Sequence, residues 1–230
     1  MKRLLAAAAV LLGALAWNAS AAERSDALDR CVHAGPHTHI VRFRSPGGHR
    51  TKAAILGAGM TGVVLSNQSG NSLCAWLPFA RRLAAHGLRV LVYDYRWGTE
   101  SQEAIAAAAG LRRRGVSRVA LVGASLGAGA SLVAASKRPR GVVGVVSISG
   151  ESFITGVRTA IPRLVLPVFF VAAKDDDYGA GSDAQDFYAR APATDKRLLV
   201  VPGNAHGTDL LADPSVRGTV ADWLVAHLRP

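Results

Sequence analysis

The heptapeptide Val-Gly-Ala-Ser-Leu-Gly-Ala, residues 122–128, stands where an apolar run rich in valine gives way to a segment of helical spacing. A serine flanked by glycines at this kind of junction is typical of a nucleophile on a sharp strand-to-helix turn, because glycines leave room for the strained backbone that lifts the hydroxyl above the sheet. The helix N-terminus adds electrostatic support for a developing anion. The pattern predicts Ser125 as a nucleophile; a turn that merely caps a helix is the alternative.

Apolar runs rich in β-branched residues alternate along the chain with alanine-rich segments of helical spacing. The order strand, crossover helix, strand predicts a parallel sheet with helices on both faces, so the fold class is α/β with eight strands. The predicted strands are 39–44, 52–57, 62–67, 89–95, 118–123, 142–149, 166–173 and 197–202. The predicted helices are 75–85, 101–114, 126–136, roughly 152–161, 184–190 and 215–228.

The first three predicted strands have no helix between them, so we expect an antiparallel N-terminal lead-in to the sheet. Gly57, Gly59 and Gly62 supply the turn between the second and third strands. The later strands are apolar nearly throughout, as expected when both faces of a sheet are covered. Neither a Pro/Ser-rich linker nor an internal repeat divides the chain, so residues 39–230 are interpreted as one domain after a lead segment, 23–38.

A serine hydroxyl needs a base within hydrogen-bond reach, and His206 is the histidine placed to supply one. It lies in the loop after the last predicted strand, at the edge of the sheet where Ser125 also stands. The acid that orients the histidine should end the preceding strand, where Asp175, Asp176 and Asp177 lie together. We take Asp176 as this acid, with Asp175 as the second candidate.

The chain order Ser125, Asp176, His206, on the fifth, seventh and eighth predicted strands, resembles that of the α/β-hydrolase family. The resemblance covers about residues 39–230. It includes Tyr-Asp-Tyr-Arg-Trp-Gly at 93–98, similar to the family's Asp-x-Arg-Gly, and 203–207, similar to its Gly-x-x-His-Gly. It implies a mostly parallel eight-stranded sheet and a serine hydrolase of the small, lidless esterase type.

The resemblance also implies an oxyanion hole made of two backbone amides that point where charge develops. One belongs to the residue after the serine, Leu126. The other comes from the loop after the third strand, where Asn67 and Gln68 replace the family's usual His-Gly pair. We expect Ser69 to supply it, with Gln68 as the alternative. Only a short helix fits between residues 149 and 166, so we expect an open site that accepts small or polymer-linked esters.

We expect no cofactor and no metal ion. His33, His37 and His39 could bind a metal, but a solvated segment is the interpretation adopted here. A metal-dependent hydrolase remains a further alternative, weakened because the chain carries no spaced cluster such as His-Glu-x-x-His.

Residues 1–22 have the order of a secretory signal peptide: Lys2 and Arg3, an apolar run too short to span a bilayer, then small residues. We therefore expect a secreted, periplasmic or envelope protein with no stable membrane span after cleavage. The two cysteines, Cys31 and Cys74, are expected to pair, since an even count in an exported chain favours a disulfide.

The chain carries 27 Lys and Arg against 16 Asp and Glu, a formal net charge of +11. Such a surface favours anionic envelopes or acidic substrates by long-range attraction. No nucleic-acid partner is expected, because the basic residues are spread out and no reader motif accompanies them. The predicted function is carboxylic ester hydrolysis through an acyl-enzyme, with thioesters, peptides and acyl transfer also compatible. The alternative is a catalytically silent protein of the same fold that binds anionic envelope components.

Overall fold

The computed structural model describes residues 31–229. Eight strands form one sheet in the spatial order β1-β2-β4-β3-β5-β6-β7-β8. Strands β3 to β8 run parallel to one another, whereas β1 pairs with β2, and β2 with β4, in antiparallel register. The strands are β1 Thr38–Arg44, β2 Arg50–Leu56, β3 Thr61–Ser66, β4 Arg89–Tyr93, β5 Arg118–Ala124, β6 Val142–Ile148, β7 Val168–Ala173 and β8 Lys196–Val201.

The mostly parallel eight-stranded sheet is confirmed, but the third strand is not part of the antiparallel lead-in. It pairs in parallel with β4 and β5, and β4 lies between β2 and β3. The four-residue connection 57–60 therefore crosses the start of β4 rather than closing a hairpin. A Cβ on Gly57 would lie 2.3 Å from the Leu88 carbonyl oxygen, and one on Gly59 would lie 1.9 Å from that of Gly87. These glycines permit a close crossing, not a tight turn.

Helices cover both faces of the sheet, as predicted. One face packs α1 and α6 against side chains such as Val63, Val122 and Phe169. The other face packs α2, α3 and α5 against Val64, Leu121 and other side chains of alternate strand positions. The helices are α1 Leu77–Ala85, α2 Glu100–Arg112, α3 Leu126–Ser136, α4 Val157–Ala160, α5 Ala180–Arg190 and α6 Pro214–Leu228.

The helix bounds differ most from the sequence prediction in the segment between β6 and β7 and at the start of α5. The expected helix over 152–161 is only the single turn Val157–Ala160, followed by a 3₁₀ turn, Ile161–Arg163. Pro162 has no backbone donor and stops regular helix there. In contrast, α5 begins four residues earlier than predicted, after Gly179 in the left-handed conformation.

A disulfide joins Cys31 to Cys74, with a Cα–Cα distance of 5.8 Å, which confirms the predicted pair. Cys74 lies in the 3₁₀ turn Leu73–Trp76, which follows the loop after β3. The bridge therefore fixes the start of the described chain beside that loop. The predicted signal peptide, 1–22, lies outside the described residues. No helix within 31–229 is long and apolar enough to cross a membrane.

Replacement of Gly59 by alanine tests the close crossing over β4. The added Cβ would collide with the Gly87 backbone, which cannot move without disturbing the start of β4. We therefore expect the free energy of unfolding to fall by about 2 kcal/mol or more, as for an overpacked core. Gly218→Ala is the matched control: it adds the same methyl group to helix α6 with nothing within 4 Å, and helix propensity should raise stability by up to about 1 kcal/mol. Urea unfolding of both variants checks this, and equal stabilities would contradict the account of the crossing.

Candidate active site

Ser125 lies on a strained turn between β5 and α3. Its backbone has φ 49° and ψ −119°, a conformation that a residue with a side chain rarely adopts. The turn is fixed to the neighbouring strand, because the Ser125 amide donates a hydrogen bond to the Ile148 carbonyl of β6 at 2.9 Å. The side chain is 7% exposed. The strain and the fixed backbone present the hydroxyl at the carboxyl edge of the sheet.

The glycines on either side of Ser125 are required by packing. A Cβ on Gly123 would lie 1.9 Å from the Gly127 carbonyl oxygen, and a Cβ on Gly127 would lie 2.2 Å from that of Ser66 at the end of β3. Both distances are far below contact between real atoms. The motif therefore brings the first turn of α3 into direct contact with the ends of β3 and β5. A turn that merely caps a helix would not require such close contact.

His206 and Asp176 meet at the same edge of the sheet. The Nδ1 atom of His206 lies 2.8 Å from Oδ2 of Asp176, and the Asp176 side chain is fully buried. The second oxygen of Asp176 accepts the Tyr178 amide at 3.0 Å, which fixes the carboxylate plane. Asp175 and Asp177 are exposed. Of the three predicted aspartates, Asp176 is thus the one that contacts the histidine.

The loop that carries His206 is tied to two neighbouring strand ends. The Gly207 amide donates to the Ser149 hydroxyl at 3.0 Å, and Ser149 is itself in a left-handed conformation at the end of β6. The Thr208 amide and hydroxyl both donate to Oε1 of Gln68, at 2.8 and 3.0 Å. These contacts fix the position of the imidazole before any substrate binds.

Glu151 is the residue that sequence reasoning missed. Its Oε1 atom accepts the Ser125 hydroxyl at 3.1 Å and lies 3.5 Å from Nε2 of His206. No hydrogen bond joins Ser125 directly to His206. The turn that positions Glu151 needs Ser149 at a positive φ of 48° and a glycine at position 150. A Cβ on Gly150 would lie 2.3 Å from the Ser147 hydroxyl oxygen. The sequence did carry an indication of this, since Glu151 is the first acidic residue after the buried strand β6, as Asp175 is after β7.

The Glu151 carboxyl is in an unusual environment. The residue is 1% exposed, and its Oε2 atom has no hydrogen-bond partner among the described residues. Burial is the main cause that raises the pKa of Glu151 to about 7, opposed by the Ser125 hydrogen bond and by His206. A carboxyl that changes charge near neutral pH therefore lies between Ser125 and His206.

The residues expected to form the oxyanion hole lie around Ser125. Leu126 is the first residue of α3, where an amide has no acceptor within the helix. Ser69 is exposed in the turn after β3, and Gln68 is the half-buried residue before it. The side chain of Gln68 is engaged by Thr208, so any role in the hole would use its backbone amide.

A groove of about 560 Å³ is mainly apolar, and its lining includes Leu126, the residue that follows Ser125. Leu126, Ala130 and Val133 of α3 line it, together with Trp97 and Phe153. These two aromatic side chains are 62% and 68% exposed. Tyr178, also exposed, places its ring 4.6 Å from that of His206. Large apolar side chains left in water at a site's rim favour an apolar ligand.

Arginines line a second groove of about 640 Å³ at the β1 edge of the sheet. No carboxylate within residues 31–229 forms an ion pair with any of these arginines. In the same part of the chain, no group of three His, Cys, Asp or Glu side chains is arranged to hold a metal ion. The arginines are Arg42, Arg44, Arg50, Arg113 and Arg114.

Several solved structures share this architecture, whereas no protein-family model and no curated protein sequence matches the chain. The chain is similar to a dienelactone hydrolase from Anabaena variabilis, with 25% identity, a TM-score of 0.70, and coverage of 85% of this chain and 100% of that one. It is also similar to an esterase from Pyrococcus furiosus, with 15% identity, a TM-score of 0.74, and coverage of 86% and 96%.

A monoacylglycerol lipase from Paleococcus ferrophilus is similar at 18% identity and a TM-score of 0.64, over 76% of this chain and 98% of that one. These three proteins match between 76% and 86% of this chain at TM-scores of 0.64 to 0.74, so they share its fold. The chain therefore has the α/β-hydrolase fold.

Proposed function

We propose that the protein hydrolyses carboxylic esters, with Ser125 as nucleophile, His206 as base and Asp176 as the acid that orients the histidine. The observation that carries the proposal is the conjunction of a strained Ser125 with the His206–Asp176 pair, whose aspartate is fully buried, at the same edge of the sheet. Asp176 holds the His206 ring so that Nε2 faces the side of Ser125, and it stabilises the imidazolium that forms when the serine attacks.

Charge on the tetrahedral intermediate needs donors that are already in place. The proposal assigns this role to the Leu126 amide together with one amide of the loop after β3, that of Ser69 or Gln68. Support comes from the packing of Gly127 against the Ser66 and Asn67 carbonyls, which draws the helix start and this loop together. Other acyl bonds would use the same groups, and the structural neighbours named as esterases and a lipase favour esters.

The groove beside Ser125 supports an ester with an apolar group of moderate size. Its mainly apolar walls and the exposed Trp97 and Phe153 would exclude water from a hydrocarbon chain or an aromatic ring. A small or polymer-linked ester could enter because the segment between β6 and β7 is short and builds one wall rather than a cover.

The proposed setting is the cell envelope or the exterior, after cleavage of the signal peptide. The disulfide is compatible with such an oxidising compartment. Five arginines that have no carboxylate partner among residues 31–229 line one groove at the β1 edge of the sheet, which supports attraction to an anionic surface there. The same observation is compatible with the second candidate function, a silent envelope-binding protein, which would have no reactive Ser125.

Replacement of Ser125 by alanine removes the nucleophile and should lower the hydrolysis rate of p-nitrophenyl esters by at least about a thousandfold. Asp176→Asn should lower kcat by about a hundredfold or more, because the amide side chain stabilises the wrong tautomer of the His206 imidazole. Asp175→Asn, one residue away and exposed, is the matched control, and its kcat should stay within about threefold of the wild-type value. Equal losses in the two Asn variants would contradict the assignment of Asp176.

The apolar groove is tested with p-nitrophenyl esters of increasing acyl length. Trp97→Ala and Phe153→Ala should raise KM for octanoate by about tenfold, the loss expected for uncovering an apolar chain, while the acetate ester is hardly affected. Met60→Ala is the control, since Met60 is equally exposed, at 70%, but lies at the other end of the sheet. A uniform effect on all chain lengths would contradict a role of the groove in binding.

Loss of the disulfide should affect activity as well as stability. Cys31→Ser with Cys74→Ser opens a crosslink of 43 residues and should lower the free energy of unfolding by about 4 kcal/mol in the chain-entropy model. At a temperature where the variant is still folded, kcat/KM should fall, because Cys74 follows the loop proposed for the oxyanion hole. If stability fell but kcat/KM were unchanged, the disulfide would have no role in positioning the active site.

A further inference from the structure

The contacts of Ser125, Glu151 and His206 form a connected series. The serine hydroxyl donates to Oε1 of Glu151 at 3.1 Å, and the same oxygen lies 3.5 Å from Nε2 of His206. His206 in turn contacts Asp176 at 2.8 Å. The acceptor in direct contact with the nucleophile is therefore a carboxylate, not the imidazole.

We propose that Glu151 is a further catalytic residue, which takes the proton of the Ser125 hydroxyl and passes it to His206. The inference rests on the ester hydrolysis proposed above and adds a fourth group to its machinery. Glu151 touches the reacting oxygen itself, and the turn at residues 149 and 150 holds it there.

A structural role explains the Glu151 environment less well. Burial of a carboxyl costs free energy unless both of its oxygens are satisfied, and Oε2 has no partner among the described residues. The adjacent backbone is anchored without the Glu151 side chain, since the Ser152 amide donates to Asp183 at 2.7 Å. A glutamine or an apolar residue would fill the same space at lower cost, so the acidic group at this point indicates chemistry.

The proposed step balances in protons and electrons. The Ser125 oxygen forms a bond to the ester carbonyl carbon, and the carbonyl electron pair moves to its oxygen as the oxyanion. The hydroxyl proton moves to Oε1 of Glu151 and then to Nε2 of His206, which becomes imidazolium. When the oxyanion collapses, the C–O bond of the leaving group breaks, and the imidazolium gives its proton to the departing alkoxide. Water then repeats the sequence on the acyl-enzyme.

The charges around Glu151 set the expected pH dependence. His206 and Asp176 face it from the loops after β8 and β7, and Asp183 of α5 and Arg158 of α4 contact its neighbour Ser152. Burial raises the pKa of Glu151 to about 7, and the proton acceptor must be ionised to act. Wild-type kcat/KM should therefore rise as the pH increases through about 7 and be lost as the pH falls below it.

Ester hydrolysis by Glu151→Gln, measured from pH 5 to 9, tests the proposal. The amide keeps the shape but cannot carry a proton, so kcat should fall by about a hundredfold or more with KM nearly unchanged. The pH limb, meaning the part of the fall in activity below about pH 7 that protonation of Glu151 causes, should disappear from the residual activity, because glutamine does not titrate. Glu151→Asp keeps a carboxylate and should retain the limb and recover part of kcat. Asp177→Asn, an exposed carboxylate nearby, is the control that should match wild type.

Three results would overturn the role of Glu151. Activity of Glu151→Gln equal to or above that of wild type would mean that Glu151 competes with His206 for the serine. A loss with an unchanged pH limb, or one that Glu151→Asp does not reduce, would mean a structural role. Circular dichroism verifies folding of each variant. If wild type turns over and Ser125→Ala does not, the proposed ester hydrolysis stands whatever Glu151→Gln does.

Discussion

The site depends on the close contact between the first turn of α3 and the ends of β3 and β5. Gly123 and Gly127 allow backbone atoms to approach where any Cβ would collide, and the resulting turn forces Ser125 into a strained conformation with a positive φ. Such strain costs free energy and persists only when the surrounding structure holds it. Here the turn is held by the strands, which are covered by helices on both faces of the sheet. The strand residues next to the turn, Val122, Ala124 and Ile148, are fully buried.

Parallel strands bring the remaining groups to the same edge. Asp176 follows β7, His206 follows β8 and Glu151 follows β6, so three loops from neighbouring strands converge on Ser125. Contacts between the loops then fix their side chains, through Ser149 to Gly207 and through Gln68 to Thr208. Preorganisation of this kind means that little needs to move when substrate binds, which is how a site stabilises developing charge at low cost.

Local patterns in the sequence predict the fold class and the position of Ser125, because strand and helix periods and the glycine spacing are local properties, whereas the disulfide follows from the even cysteine count in a chain expected to be exported. They fail for β3, whose pairing depends on which strand enters between β2 and β3, a choice made by tertiary packing. They also fail for Glu151. The chain gives the position of that residue after β6, but only the turn geometry at Ser149 and Gly150 shows that its carboxyl points to Ser125 rather than to solvent.

The central claim is that the strained Ser125 is a reactive nucleophile. Incubation of the purified protein with a fluorophosphonate, followed by intact mass measurement and peptide mapping, tests it directly. The account predicts one adduct per chain, located on Ser125, and none in Ser125→Ala. Absence of an adduct on the folded wild-type protein, or an adduct on another serine, would contradict the account and favour a protein that keeps the fold without its chemistry.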